Sequence, residues 1–408
     1  MESLRREFLP LKNLFSLLGM GTDSRKILTE CRGKPKDEYG NIWLGIDNNN
    51  FSLWNNILYR IVPKIFGPIM IPTNPDVVSV ILSLHKVGEK SLFSGNMSTD
   101  TIGSLVGTTN IFSAATKEIH TNHRLFFKEW ISWTSSREFL RAVSDWRFTL
   151  KPDMDLPVDE LVDDFVAYTL ISILIIPDPS LVEHIKILKN YFVETSSCKR
   201  FLTRYSPFYI SAYNKVSREI VSAIDINDSY PKFLSQTLEK EEISQHIISL
   251  IMVGYENLRS CLISLLYELA LHPETELEID DSDFIDFTKS GTKEHEFFYD
   301  ALSQVPPVWL QARKTGTDIV VTLEDKTFKI PPGTWIFIHN EMFPERSPKI
   351  FSQGPNSCPG QYLAKMAAGA FIGFILDIYE LEIIEPGELV AGISLMRKGL
   401  KIKFTEKY

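Results

Sequence analysis

The chain has 408 residues, 44% of them hydrophobic and 23% charged, the make-up of a globular protein with enough mass to bury a large core. With 43 Lys and Arg against 52 Asp and Glu the net charge is −9, and no Lys/Arg-rich run offsets it, which argues against nucleic acid as the main partner. The four cysteines, Cys31, Cys198, Cys261 and Cys358, contain no C-x-x-C pair, so neither a disulfide framework nor a zinc site is expected, and the usage fits a reducing compartment.

The opening Met-Glu-Ser-Leu-Arg-Arg-Glu-Phe lacks a long apolar stretch, so a soluble, cytoplasmic protein without signal peptide or membrane anchor is expected. Residues 1–50 read as turn-rich, ending in Asn48-Asn49-Asn50. Short β-like runs at Ile57–Val62 and Ile69–Ile71, mixed with prolines, predict a small sheet. From Lys117 to Leu271 helical patterns dominate, broken near Pro177–Pro179 and Asp225–Tyr230. The apolar run Phe165–Ile176 is too short for a spanning helix, which needs about twenty residues, and reads as a buried core helix. Ser244–His272 is the longest helical pattern. Residues 315–338 read as a hairpin, with Asp318–Leu323 alternating, Glu324-Asp325-Lys326 turning and Phe328 resuming. An apolar helix follows from Leu363 to Ile378. There is no internal repeat, so the expected architecture is mainly α with a minor β-sheet region, one domain over residues 1–408.

The most informative stretch is 351–364, Phe-Ser-Gln-Gly-Pro-Asn-Ser-Cys-Pro-Gly-Gln-Tyr-Leu-Ala. Phe351, Gly354, Cys358 and Gly360 set one cysteine in a glycine-turned loop at the start of a helix. A thiolate held that way is suited to ligate a haem iron, with backbone N–H groups past the cysteine tuning the sulfur. The other reading is a small buried apolar cysteine. The spacing resembles the cysteine loop of the cytochrome P-450 family, F-x-x-G-x-x-x-C-x-G followed by Leu-Ala. The resemblance implies one P-450-like domain enclosing haem b, with Cys358 as axial thiolate ligand.

Three further segments extend the resemblance. In the long helix, Gly254 and Glu256 match the family's oxygen-side stretch, while Asn257 stands where a threonine is usual. A hydroxyl donates, accepts and hands on a proton, whereas an amide holds a water in place. Gly254, Glu256 and Asn257 are therefore the catalytic candidates. His120 and Arg124 share a helix face at i and i+4 and resemble the family's clamp on a haem propionate, with His123 as a competitor if the register slips. Pro306-Pro307, followed by Arg313, resembles a second propionate contact, which a guanidinium fork suits. Trp309 and Leu310 either line the substrate pocket or pack in the core. Other candidate pocket segments are 92–111, 192–209 and the surroundings of Leu250.

Departures accompany these matches. Asp300 and Ser303 replace the family's Glu-x-x-Arg ion pair, the stretch from Gly333 to Phe351 is short, with Pro344-Glu345-Arg346 as the remnant either of the family's Pro-Glu-Arg element or of an earlier part of the same loop, and Asn356 stands where a basic residue is usual. The implied function is a haem-thiolate monooxygenase that inserts one oxygen atom of O2 into a mostly apolar small molecule. Its electrons come from a separate ferredoxin or flavin reductase, since no flavin or iron–sulfur segment is visible. Two other readings stand beside it. One is a redox-neutral or peroxide-using haem-thiolate enzyme such as an isomerase, dehydratase or peroxygenase. The other is a non-catalytic relic of the fold that binds a ligand or partner.

Overall fold

The structure is a computed structural model. It describes residues 68–84, 157–174, 180–193, 205–226, 239–279 and 284–407, apart from 285, 325, 344–347, 355–356 and 393, with shorter stretches at 7–9 and within 26–46 and 121–128, and Trp146. Seven α-helices are bounded there: α1 (Pro75–Ser83), α2 (Val158–Leu174), α3 (Ser180–Val193), α4 (Pro207–Ile226), α5 (Lys240–Leu271), α6 (Lys293–Gln304) and α7 (Gln361–Ile378).

Helix α5 is the axis of the core. It begins four residues earlier than Ser244 because the Glu242 carboxylate reaches back to accept from the Glu239 N–H at 3.2 Å, closing a capping box. Its 32 residues extend about 48 Å. Apolar residues wind round the helix, and α2, α3, α4, α6, α7 and the C-terminal hairpin all pack on it. Helices α5 and α7 are long and apolar enough to cross a membrane, and both lie mostly buried inside the protein.

The described strands form three sheets. The first has strand order β1-β2-β3-β7-β4, built from Glu7–Leu9, Asn41–Ile46, Ile69–Pro72, Trp335–His339 and Leu310–Lys314. Strands β1 and β2 lie within the segment expected to be turn-rich. The run Ile57–Val62 lies outside the described residues. Strand β4 pairs antiparallel with β7 and sets Arg313 opposite Ile336, which fixes where that arginine stands. The expected hairpin is β5 (Ile319–Leu323) with β6 (Lys326–Ile330). Its inward residues Ile319, Val321 and Ile330 meet Val77, Val78, Ile81 and Leu82 of α1 in a second, smaller core. Helix α1 starts where Asn74 accepts from the Asp76 N–H at 2.8 Å, with Pro75 in the first turn.

A long antiparallel hairpin closes the chain, β8 (Tyr379–Ala391) with β9 (Leu395–Glu406). Its strands set Glu382 against Lys403, Glu385 against Lys401 and Glu388 against Lys398. The turn between them, 392–394, reaches back to α5.

Candidate functional site

The cysteine loop folds through local necessity. Residues 348–351 form a 3-10 turn, Ser352 turns at φ +61°, and Gly354 follows at φ +60°. A Cβ on Gly354 would stand 3.1 Å from the Ser83 Cα, so α1 presses on the loop where only glycine fits. The Ser357 N–H then donates to the Gly354 carbonyl at 3.1 Å and the Cys358 N–H to the Phe351 carbonyl at 2.7 Å. Helix α7 begins three residues past the cysteine; the Gln361 N–H donates to the Cys358 carbonyl at 3.5 Å, and the Gly360 and Gln361 N–H groups lie beside the sulfur, where they favour its thiolate.

Cys358 is both exposed and enclosed. Solvent reaches its side chain, yet burial is the first influence on its thiol and pushes the pKa up, against the two N–H donors and Arg124, which pull it down. Arg124 sits beside the sulfur, donating to the Ser357 carbonyl at 2.7 Å and the Ser357 hydroxyl at 3.2 Å. The helix at 121–128 is thereby tied to the residue before the cysteine. His120, expected as the partner of Arg124, lies outside the described residues, as do Asn356, residues 344–346 and the pocket segment 92–111. His123 is buried, edge-on to His246 at 4.3 Å, and so packs into the core rather than joining Arg124 at the loop.

Phe351 stacks on Phe298 of α6, ring centres 6.1 Å apart and planes 4° off parallel, and meets Tyr299 edge-on. The α6 positions of the missing ion pair make a smaller contact: the Ser303 hydroxyl donates to the Asp300 main-chain carbonyl at 2.8 Å.

Arg313 stands on β4 beside β7. It is half-buried, and burial drives its guanidinium down to about 10. Its one hydrogen bond among the described residues goes to the carbonyl of the preceding Ala312, which leaves most of its donor fork open. Trp309, by contrast, is 1% exposed and donates its indole N–H to the Gly392 carbonyl at 3.1 Å, so it is a core residue like the buried Leu310.

On α5 the motif divides. A Cβ built on Gly254 meets nothing within 4 Å, so this face opens onto free space. Successive helical residues turn by about 100°, which places Glu256 about 160° round from Gly254 and Asn257 about 60° from it. Glu256 therefore points into the protein. It is 2% exposed, its Oε1 lies 3.4 Å from Arg259, and its Oε2 has no hydrogen-bond partner among the described residues. Arg259 in turn holds Asp159 and Asp163 of α2, the latter at 2.7 Å, and Lys189 of α3 bonds Asp163 at 3.0 Å. Burial raises the Glu256 pKa against the pull of Arg259 and Lys189.

Asn257 faces the turn of the β8–β9 hairpin. The Ser394 hydroxyl donates to its Oδ1 at 2.6 Å, while its Nδ2 donates to the Val253 carbonyl at 3.0 Å. The Ser260 hydroxyl, three residues on, donates to the Leu395 carbonyl, pinning the same turn. Sequence reasoning misses these partners because Ser394 and Leu395 stand far along the chain, in a turn with no motif of its own.

No protein-family model matches the chain, and no curated protein does. Solved structures do. The cytochrome P450DA heme domain superposes with a TM-score of 0.69 at 13% identity, covering 99% of both chains. CYP175A1 from Thermus thermophilus gives 0.66 at 15% identity over 98% of this chain and 100% of that one. P450BioI, solved in complex with an acyl carrier protein ligated to hexadec-9Z-enoic acid, gives 0.62 at 14% identity over 83% and 92%. The chain thus has the cytochrome P450 fold, mainly α with small sheets, as its cysteine loop led one to expect.

Proposed function

We propose that this chain is a haem-thiolate oxidoreductase with Cys358 as the iron ligand, acting on a mostly apolar small molecule. The observation that carries the reading is the sulfur itself, open to solvent at the N-terminus of α7 with two backbone N–H groups and Arg124 beside it. Other features fit a flat, dianionic macrocycle. Free space lies over Gly254, and Arg313 offers an open guanidinium fork of the shape a propionate accepts. When bound, haem supplies the redox chemistry, with thiolate ligation favouring O–O cleavage. The protein's part is to hold the sulfur through Gly360 and Gln361, to fix the loop through Arg124 and Gly354, and to neutralise carboxylates with Arg313.

As a monooxygenase the protein inserts one oxygen atom of O2 and draws electrons from a separate ferredoxin or flavin reductase. One observation favours a second reading, a peroxide-using or redox-neutral enzyme. Both polar residues of the α5 motif are committed elsewhere, Glu256 to Arg259 and Asn257 to Ser394 and Val253. Neither stands ready to pass a proton toward the Gly254 face.

The test is the absorbance of the purified protein, reduced and exposed to carbon monoxide. A red-shifted Soret band that is lost in Cys358→Ala establishes the cysteine-ligated haem. A band unchanged in that variant overturns the assignment, and absence of haem leaves a binding role for the fold. Turnover with a reductase against turnover with peroxide or neither separates the two enzymatic readings. Asn257→Thr raises the yield of product per electron only under the first.

A further inference from the structure

With the Glu-x-x-Arg ion pair replaced, something else must fix α6 to the cysteine loop and α7. Four side chains at the α6–α7 contact do this at matching i, i+4 spacing. On α6 stand His295 and Tyr299, and on α7 Gln361 and Lys365. The Gln361 side-chain amide donates to the Tyr299 hydroxyl at 3.0 Å. The Lys365 ammonium lies 4.7 Å from the centre of the Tyr299 ring and 3.3 Å from His295 Nε2. Tyr299 also meets Phe351 edge-on, and Phe351 is the residue whose carbonyl receives the Cys358 N–H. Gln361 brings its own backbone N–H to the sulfur.

We infer that Tyr299 is a positioning residue for the cysteine ligand, acting through Gln361 on one side and Phe351 on the other, with Lys365 bracing its ring. The inference rests on Cys358 being the ligand, as proposed above. The physical logic is substitution of one kind of lock for another. A buried ion pair is costly to desolvate, and a neutral hydroxyl–amide bond backed by a cation over an aromatic face holds α6 to α7 without that cost. Lys365 is 6% exposed, and burial lowers its pKa. Nevertheless its two contacts, an imidazole nitrogen and a ring face, are both ones an ammonium favours. The lock also has a direction. Gln361 is the first residue of α7, so the bond to Tyr299 fixes the side chain of the residue whose N–H points at sulfur.

Tyr299→Phe tests this cleanly, because it keeps the ring for Lys365 and Phe351 and removes only the hydroxyl. Two readouts are taken, hydrogen exchange at the Cys358 amide and the reduced carbon monoxide spectrum of the haem-loaded protein. Tyr299→Phe and Gln361→Leu are each expected to speed Cys358 exchange about fivefold, the equivalent of one net hydrogen bond of ~1 kcal/mol. Each is also expected to move part of the Soret absorbance to the blue of the thiolate position. The double variant should do no more than either single one, since all three break the same bond. Unchanged exchange and spectrum in both single variants, or effects that add in full, overturn the inference. If the unaltered protein takes up no haem, it is the ligand assignment that fails, and exchange at Cys358 still decides whether Tyr299 holds the loop.

Discussion

The two sides of the candidate site were built differently. On the sulfur side the motif residues converge: Gly354 yields to α1, Phe351 stacks on α6, Arg124 reaches Ser357, and two N–H groups meet Cys358. On the α5 side they diverge: Gly254 borders open space, while Glu256 turns inward to Arg259 and Asn257 binds the C-terminal hairpin. Spacing along a loop of ten residues nearly determines its contacts, because each bond is local. Along a helix, spacing determines only the face a residue occupies. Its partner is supplied by whichever element packs there.

The comparison is sharpened most by Arg259→Met. That change leaves Glu256 buried without the cation it contacts and weakens the hold on Asp159 and Asp163. Breaking a buried pair costs about 3–5 kcal/mol, and the low end is expected because both aspartates keep some solvent and Glu256 can take up a proton. Urea unfolding measures it. A loss below about 1 kcal/mol, the range of exposed ion pairs, would mean the α5 cluster is only a surface network.

Haem retention gives the next largest effect. Arg313→Ala is expected to weaken it by roughly 1.5–3 kcal/mol, one charge-assisted contact, measured as transfer of haem to a scavenging protein. Arg124→Ala should cost less, because two of its N–H groups already serve Ser357. Equal losses in the two variants would show that Arg124 also holds a carboxylate directly.

How much could be read in advance follows the same division. The cysteine loop, the axis helix, the β5–β6 hairpin and the helix after Cys358 are short-range patterns, and each was legible. The β8–β9 hairpin was not, because Pro386-Gly387 sits inside a strand and reads as a turn. Gly387 has φ +65°, and a Cβ there would be 2.7 Å from the Lys398 carbonyl, so the strands close around a glycine kink instead of ending at it. The N-terminal strands β1 and β2 were hidden for another reason. They are short, and their pairing, β1 on β2 and β2 on β3, is set by register across the sheet that no local pattern specifies. The Tyr299–Gln361 bond joins residues 62 apart in sequence and carries no motif. Nor does the Arg259 cluster, whose aspartates lie on α2.

Ser394→Ala removes the tie between the hairpin turn and Asn257. A net loss of ~1 kcal/mol is expected in urea unfolding. If Asn257 instead serves bound substrate or water alone, Ser394→Ala leaves stability unchanged and alters only turnover.

The smallest effect is a pH slope, and it decides what Glu256 contributes to its cluster. Burial is the larger influence on its carboxyl and raises the pKa above 4.5, with Arg259 and Lys189 opposing. The folded state therefore binds this proton more tightly than the unfolded chain does. The stability that results is fully present below the unfolded value and is lost as pH rises through the folded one. Glu256→Gln abolishes the titration, so as pH rises above the ordinary carboxylate range and through the raised folded value the variant should gain on the unaltered protein. Arg259 remains compensated in the variant by Asp159 and Asp163, so no stranded cation confounds the comparison. A gap that moves the opposite way would show that Arg259 outweighs burial. Glu256 would then be an ionised member of the lattice at every pH where the protein works.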